Sequence, residues 1–409
     1  MTEDSHGNKG FWYNPPMAVT RVLQKALIPD NFTRSLFRIS PYRGCSHGCR
    51  YCDGRAERYY VPGDFEKDVE VRENIPSRLE EELLNFREWG MVTLGSGVTD
   101  VYQPKEAEAG LTRKILTLLA KSELPVQILT KSDLVQRDLD ILGPLAKKVG
   151  AVLLISLTTL DQDLLNVMEP GASRASERIE TLRLAKAAGL TTGVLAMPLL
   201  PGLSDDKKSV ENLANALKSV EVDFVCPGGL TLRPGCQKEI YLDTLAAHHP
   251  ELLTFYKEIY GENRPSGMPQ RHPSYQGDYL IQILRDMGIP PVMPQRIYKN
   301  LLPRGDGLSL VFQDLRDHYK YRGIDVRSLQ SIISRYNSWW IDLRKHFRRH
   351  RALEDTWLDQ RFTEALTFGE LERLLDNKKL WKFTQEILDG GEWNSLGPGT
   401  PRQGFPKTV

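Results

Sequence analysis

Net charge is almost absent: 54 Lys and Arg against 53 Asp and Glu leave +1 over 409 residues. No global field steers such a chain onto nucleic acid, so any such contact needs a local patch. Long apolar runs are missing too. The longest, such as Ala151–Leu157, are strand-sized and far short of a membrane span. The opening residues Met1–Lys9 are polar and charged, and read as neither a secretory signal nor an anchor. Cysteine is scarce and odd in number, five in all, which does not make a disulfide framework. Reduced thiols point to the cytoplasm.

What cysteine there is stands concentrated. Cys45, Cys49 and Cys52 share the run Gly44-Cys45-Ser46-His47-Gly48-Cys49-Arg50-Tyr51-Cys52. Three thiolates leave one iron of a four-iron cubane open to an outside ligand. Structural zinc is the alternative, but it usually takes four protein ligands, often as two Cys pairs. The remaining cysteines, Cys226 and Cys236, form no second pair in the required spacing. His47 would have to fold back on its own loop to become a fourth ligand.

From Phe37 onward, short β-rich runs alternate with amphipathic stretches. Strands are expected at Phe37–Tyr42, Met91–Leu94, Val126–Thr130, Ala151–Leu157, Thr191–Met197 and Val222–Cys226. Helices are expected at Ser77–Trp89, Glu106–Ser122, Leu134–Lys148, Arg174–Ala188 and Ser204–Ser219. Six such units imply an α/β fold with parallel pairing and right-handed crossovers. They suit a partial barrel or an open doubly wound sheet, and periodicity does not choose. The reading divides the chain into an N-terminal arm (1–34), the β/α unit (35–247), a mostly helical, densely charged C-terminal region (248–389) and a Gly/Pro-rich tail (390–409). The helical region holds Trp339, Trp340, Trp357 and Trp381, enough apolar surface for a small core of its own or for docking on the barrel.

One local patch stands out there. Between Ser331 and Arg351 lie six Arg or Lys residues and one acid, interleaved with Tyr336, Trp339, Trp340 and Phe347. Arg344, Lys345, Arg348, Arg349 and Arg351 are candidates for phosphate contact, with the aromatics as stacking surfaces for bases. This 335–351 patch is the reason to consider a nucleic-acid partner. The alternative is an amphipathic helix whose Trp340, Leu343 and Phe347 pack inward while its basic face is solvated.

C-x3-C-x2-C with Tyr51 before the last cysteine resembles the cluster loop of radical S-adenosylmethionine (SAM) enzymes. The wider context resembles their spore photoproduct lyase-like branch. Pro41-Tyr42-Arg43-Gly44-Cys45, Thr99-Asp100-Val101-Tyr102-Gln103-Pro104, Thr130-Lys131-Ser132, Glu169-Pro170 and Pro198–Gly202 carry that likeness. It implies a six-unit partial (β/α)6 barrel, a 4Fe–4S cluster on Cys45, Cys49 and Cys52, and SAM as cosubstrate. Reductive cleavage of SAM to a 5′-deoxyadenosyl radical would also call for an electron donor such as flavodoxin or ferredoxin.

Reactive groups of a parallel β/α fold gather at the strands' C-terminal ends. The resemblance places the methionine amino group at Gly95-Ser96-Gly97 and the SAM carboxylate at Lys131, with the adenine beside Tyr51's ring. Ser156, at the end of the fourth strand, is a candidate for the ribose or carboxylate. Arg178 is a candidate for the carboxylate, with an ordinary helix-surface arginine as the alternative; Asp100 and Glu106 are candidates for SAM, or favour a helix N-terminus. Cys226 ends the sixth strand, where a thiol is placed to donate a hydrogen atom to a substrate radical; the alternative is inert packing. The chain departs from the lyase in one place. Gly95-Ser96-Gly97 stands where the lyase has the cysteine that returns hydrogen to thymine, so repair of that lesion is not implied.

Overall fold

The computed structural model describes residues 19–20, 25–29, 35–95, 97–270, 278–350 and 357–393. The six expected strands all form: β1 (Phe37–Ile39), β2 (Val92–Leu94), β3 (Val126–Thr130), β4 (Ala151–Ser156), β5 (Thr191–Leu199) and β6 (Phe224–Gly229). Every residue of β2, β3 and β4 is buried. That is why these strands read as continuous Val/Ile/Leu runs rather than as alternation: a parallel sheet covered on both faces has no solvent side.

The strands pair in strict sequence order, each parallel to the next. Ile28–Pro29 adds an antiparallel edge strand beside β1, at the opposite edge from β6. This order settles what periodicity left open. Right-handed crossovers between sequential neighbours all fall on one face, so the sheet curls around its other face instead of being wound from both sides. The two edges do not pair, and the barrel stays open. Helices Leu111–Lys121, Leu139–Lys148, Ala175–Ala187 and Lys207–Ser219 fill the crossovers. Helix Gln162–Met168, between β4 and Ala175–Ala187, is one the sequence reading did not anticipate.

Two short strands frame the cysteine run. Tyr42–Arg43 immediately precedes it and pairs antiparallel with Glu70–Arg72. The Cys45 backbone N–H donates to Phe65 O at 2.9 Å. The cysteine loop is thus an excursion pinned at its base.

Beyond residue 277 the described chain is helical: Asp278–Asp286, Gln295–Tyr298, Arg304–Tyr321, Arg327–His350, Trp357–Thr367, Glu370–Leu375 and Lys378–Leu388. These helices build no separate core. Leu280, Phe312, Tyr336, Trp340, Phe362 and Phe383 belong to the same apolar cluster as Val92, Ile128 and Leu153. They dock at the N-terminal ends of the strands. The Met91 N–H donates to Leu301 O (2.8 Å), the Val225 N–H to Pro290 O (2.9 Å), and the Leu301 side chain rests on Gly150 just before β4.

That docking corrects the reading of the basic helix. Tyr336, Trp340 and Phe347 are buried, and the Trp339 indole donates to Glu370, so these aromatics are core rather than stacking platforms. Arg344 lies over the Trp340 ring and pairs with Asp306 and Glu88. Its guanidinium is committed because a largely buried cation must be neutralised. Lys345 is exposed beside Asp342, whereas the side chains of Arg348 and Arg349, and Arg351 itself, lie outside the described residues. Among the described residues no helix is long and apolar enough to cross a membrane.

Because Leu301 is 7% exposed and joins the helical region to the strand starts, Leu301→Ala is expected to destabilise the fold. The expected cost is about 2–5 kcal/mol, seen as one cooperative urea transition moved to lower denaturant. A second transition appearing on its own would mean that the two regions unfold separately.

Candidate active site

The cysteine loop crosses the C-terminal ends of the strands and is held there from two sides. On one side stands the segment after β2. Thr99 Oγ1 donates to Gly44 O (2.8 Å). Gln103, fully buried, accepts from Ser46 N (2.8 Å) and donates to Gly44 O (3.3 Å). Asp100 ties three pieces of chain together. Its Oδ1 accepts from Tyr102 N (2.8 Å) and Thr130 Oγ1 (2.7 Å). Its Oδ2 accepts from Lys131 N (2.8 Å) and contacts His47 Nε2 at 3.1 Å. Burial opposes ionisation of Asp100, but the His47 charge and these hydrogen bonds outweigh it and hold the carboxyl below its usual range.

On the other side stands Met168–Gly171. Arg50 N donates to Met168 O (2.9 Å) and Gly171 N to His47 O (2.9 Å), while His47 Nδ1 lies 2.8 Å from Gly171 O. A Cβ on Gly171 would meet Ser46 O at 2.5 Å and His47 Cα at 2.9 Å, so only glycine permits this approach. Tyr51 donates its hydroxyl to Glu169. Glu169 pairs with Arg178 at 2.5 Å, both side chains being fully buried.

This geometry places each sequence candidate. Asp100, a SAM candidate by sequence, is engaged within the protein through both oxygens. Arg178, the carboxylate candidate, directs its nitrogens at Ser173 O (2.8 Å), Ser156 O (3.0 Å) and Glu169. Tyr51, the adenine candidate, commits its hydroxyl to Glu169. Gly95 is buried with φ +104, where an added Cβ would strike Leu129 O at 2.6 Å; Ser96 lies outside the described residues.

Lys131, Ser156 and Cys226 come together on one face. Thr130 lies opposite Ile155, Ser156 opposite Leu195, and Leu195 opposite Cys226. Lys131 therefore begins a row that continues through Ser156 and Leu195 to Cys226. Its Nζ sits 5.8 Å from the Tyr51 ring centroid, and among the described residues no carboxylate is within ion-pair distance of it. Cys226 is half-buried in that row, whereas Cys236 is exposed on the first turn of the next helix.

Gln103, Glu169 and Gly171 are the residues that sequence reading left without a role. Gln103 and Glu169 lie in stretches that carry the resemblance, but sequence gives none of the three a partner, since each acts on a loop more than 50 residues away.

The donor set fits an iron–sulfur cluster. Three thiols lie on successive turns of one loop, with Gly48 N bonded to Cys45 O and Cys52 N to Cys49 O (3.3 Å each). Burial pushes all three thiols up, Cys49 to about 12. Lys131 works against burial at Cys49 and Cys52, so iron bound there would displace the thiol protons beside a cation already in place. His47 does not offer itself as a zinc ligand, because each of its ring nitrogens already faces a protein oxygen.

Comparison with known proteins agrees in part with this geometry. A family profile described as the radical SAM superfamily matches residues 39–214. An uncharacterised protein of Mycobacterium tuberculosis (strain ATCC 25618 / H37Rv) is 32% identical over 285 residues, 68% of this chain and 79% of the relative. An uncharacterised protein of Methanocaldococcus jannaschii is 29% identical over 184 residues, 44% of this chain and 67% of the relative. Among solved structures, spore photoproduct lyase complexed with dinucleoside spore photoproduct aligns at 14% identity. That alignment spans 66% of this chain and 79% of the lyase chain, with a TM-score of 0.48.

Asp100→Asn should lower stability at pH 7 by about 1.5–3 kcal/mol, the range of hydrogen bonds to a charged group. The carboxyl's lowered pKa means its contribution is complete above about pH 4 and is lost as pH falls through the folded-state value. The gap between wild type and variant in urea midpoint should therefore shrink below about pH 4. A gap that stays constant down to pH 3 would show that the charge of Asp100 does not matter.

Proposed function

Because this chain belongs to the radical SAM superfamily, we propose that Cys45, Cys49 and Cys52 hold a 4Fe–4S cluster and that the protein cleaves SAM reductively. When bound, that cluster supplies one electron to SAM, releasing methionine and a 5′-deoxyadenosyl radical that takes hydrogen from a substrate. The observation carrying this reading is the loop itself: two buried thiols and one half-buried thiol, gripped by Asp100 through His47 and by Glu169 through Tyr51, with no fourth cysteine within the loop.

The other residues take roles from their positions. Lys131 presents an ammonium without a carboxylate partner beside the loop, which suits the carboxylate of SAM. Ser156 follows one strand over, with its hydroxyl available to the ribose or carboxylate. Gly97, where an added Cβ would meet nothing within 4 Å, leaves room for the methionine amino group, and Gly95 lets the strand end pass close to Leu129 O. Cys226 faces the same interior two strands beyond Ser156, placed to return a hydrogen atom. Asp100 and Arg178 position the loop and the strand ends rather than touching SAM.

The substrate in this proposal enters at the strands' C-terminal ends, since helices cover the other end. The basic helix belongs to that covered end, with Arg344 committed to Asp306 and Glu88. A peptide or small metabolite is accordingly favoured over nucleic acid. Flavodoxin or ferredoxin is the proposed source of the electron.

Anaerobic reconstitution tests the core of this reading. Wild type should bind about four irons and release 5′-deoxyadenosine on reduction with SAM. Cys45→Ala, Cys49→Ala and Cys52→Ala should each lose the brown absorbance and the cleavage, whereas Cys226→Ala keeps both. Full iron and cleavage in Cys49→Ala would overturn the assignment.

Lys131→Ala should weaken SAM binding by about 1.5–3 kcal/mol with iron content intact, the range of a charge-assisted hydrogen bond. An unchanged dissociation constant would remove Lys131 from the SAM site. In a separate measurement, oligonucleotide binding should show no steep salt dependence. A log–log slope of several units, about −0.7 to −0.9 per phosphate contacted, would restore nucleic acid as the substrate class.

A further inference from the structure

The two carboxylates that hold the cysteine loop are backed differently. Asp100 is spread over four contacts from three chain segments. Glu169 has two: Arg178 behind it at 2.5 Å and the Tyr51 hydroxyl in front. Arg178 is in turn fixed by Ser156 O (3.0 Å) and Ser173 O (2.8 Å) at the ends of neighbouring elements. Cys49, Tyr51 and Met168 share one apolar cluster, so the pair lies against the Cys49–Cys52 turn with no solvent between. Such a pair is costly to build, since desolvation of two buried ions offsets much of their attraction, and packed apolar residues would often serve stability as well. Its position beside a redox centre gives it something that apolar residues do not offer.

We infer that the Glu169–Arg178 pair, acting through Tyr51, positions the Cys49–Cys52 turn and sets the reduction potential of the cluster placed there. The inference rests on the proposed cluster. Reduction adds one electron, hence one negative charge, to the iron–sulfur unit. In a water-excluded site a nearby fixed charge acts with little screening. Glu169 opposes that added charge, and Arg178 together with Lys131 favours it. The Tyr51 O–H, pointed at the carboxylate, draws the carboxylate's charge away from the cluster. Hydrogen bonding and net charge around the sulfurs are general determinants of such potentials. Glu169 and Arg178 are positioning residues on this view and touch no reacting atom.

Redox titration of the reconstituted protein, followed by electron paramagnetic resonance of the reduced cluster, provides the test. Glu169→Gln keeps an acceptor for Tyr51 but loses the negative charge, and should move the potential to more positive values. Arg178→Gln should move it to more negative values. The Glu169→Gln/Arg178→Gln double variant should return towards wild type, and it removes both buried charges together if either single variant folds poorly. Tyr51→Phe removes one hydroxyl only, should keep its iron, and should shift the potential negative. A purely structural role would lower stability or iron content without shifts of opposite sign. Single variants that move in the same direction, or a Tyr51→Phe potential equal to wild type, would overturn the inference. Wild-type protein that assembles no four-iron cluster would instead overturn the cluster assignment.

Discussion

The site depends on how a loop of short, polar and glycine-containing sequence is held still. Its own backbone offers only tight turns, and its three thiols resist ionisation while buried. The protein supplies rigidity from outside, through two carboxylates that are themselves buried. Asp100 joins the ends of β2 and β3 to His47, and Glu169 joins Tyr51 to Arg178 and the end of β4. Each acts because burial removes water as a competitor, so every remaining partner must come from the protein. If either carboxylate is lost, the loop loses its register relative to Lys131.

Charge is ordered around this loop. Moving outward from the Tyr51 hydroxyl, Glu169 comes first and then Arg178, while Lys131 stands over the Tyr51 ring. An anionic centre built on three thiolates would meet a cation on its open side and a compensated anion behind. That order leaves Lys131 as the charge still available to a ligand, which is why the SAM carboxylate is placed there. The row Lys131, Ser156, Leu195 and Cys226 then defines the inner face along which a substrate would lie.

The opposite end of the strands is closed by the C-terminal helices, whose apolar residues merge with the barrel core. Trp339, Trp340, Trp381 and Arg344 serve this docking. Among the described residues of a pattern that suggests a nucleic-acid surface, Tyr336, Trp340 and Phe347 form the inner face of a helix, and Arg344 is neutralised by Asp306 and Glu88. Large aromatic rings gain more from burial than from exposure, and a guanidinium stacked on one of them recruits whatever acids lie nearby.

The sequence by itself determined the strands, their parallel arrangement, the cysteine loop and the candidates at the strand ends. Those features are local: runs of apolar β-formers, a three-cysteine spacing, and the rule that a parallel fold works at its C-terminal edge. Tertiary structure decided which polar residues face a ligand and which face each other. Asp100, Arg178 and Arg344 look alike in sequence to residues that bind anions or cofactors. Their partners His47, Glu169 and Asp306 lie elsewhere in the chain, and only folding brings a buried charge to the opposite charge that neutralises it. Lys131 differs for the same reason: among the described residues the fold brings no carboxylate within ion-pair distance of it, and that contrast with Arg178 could not be read from either residue's neighbours in sequence.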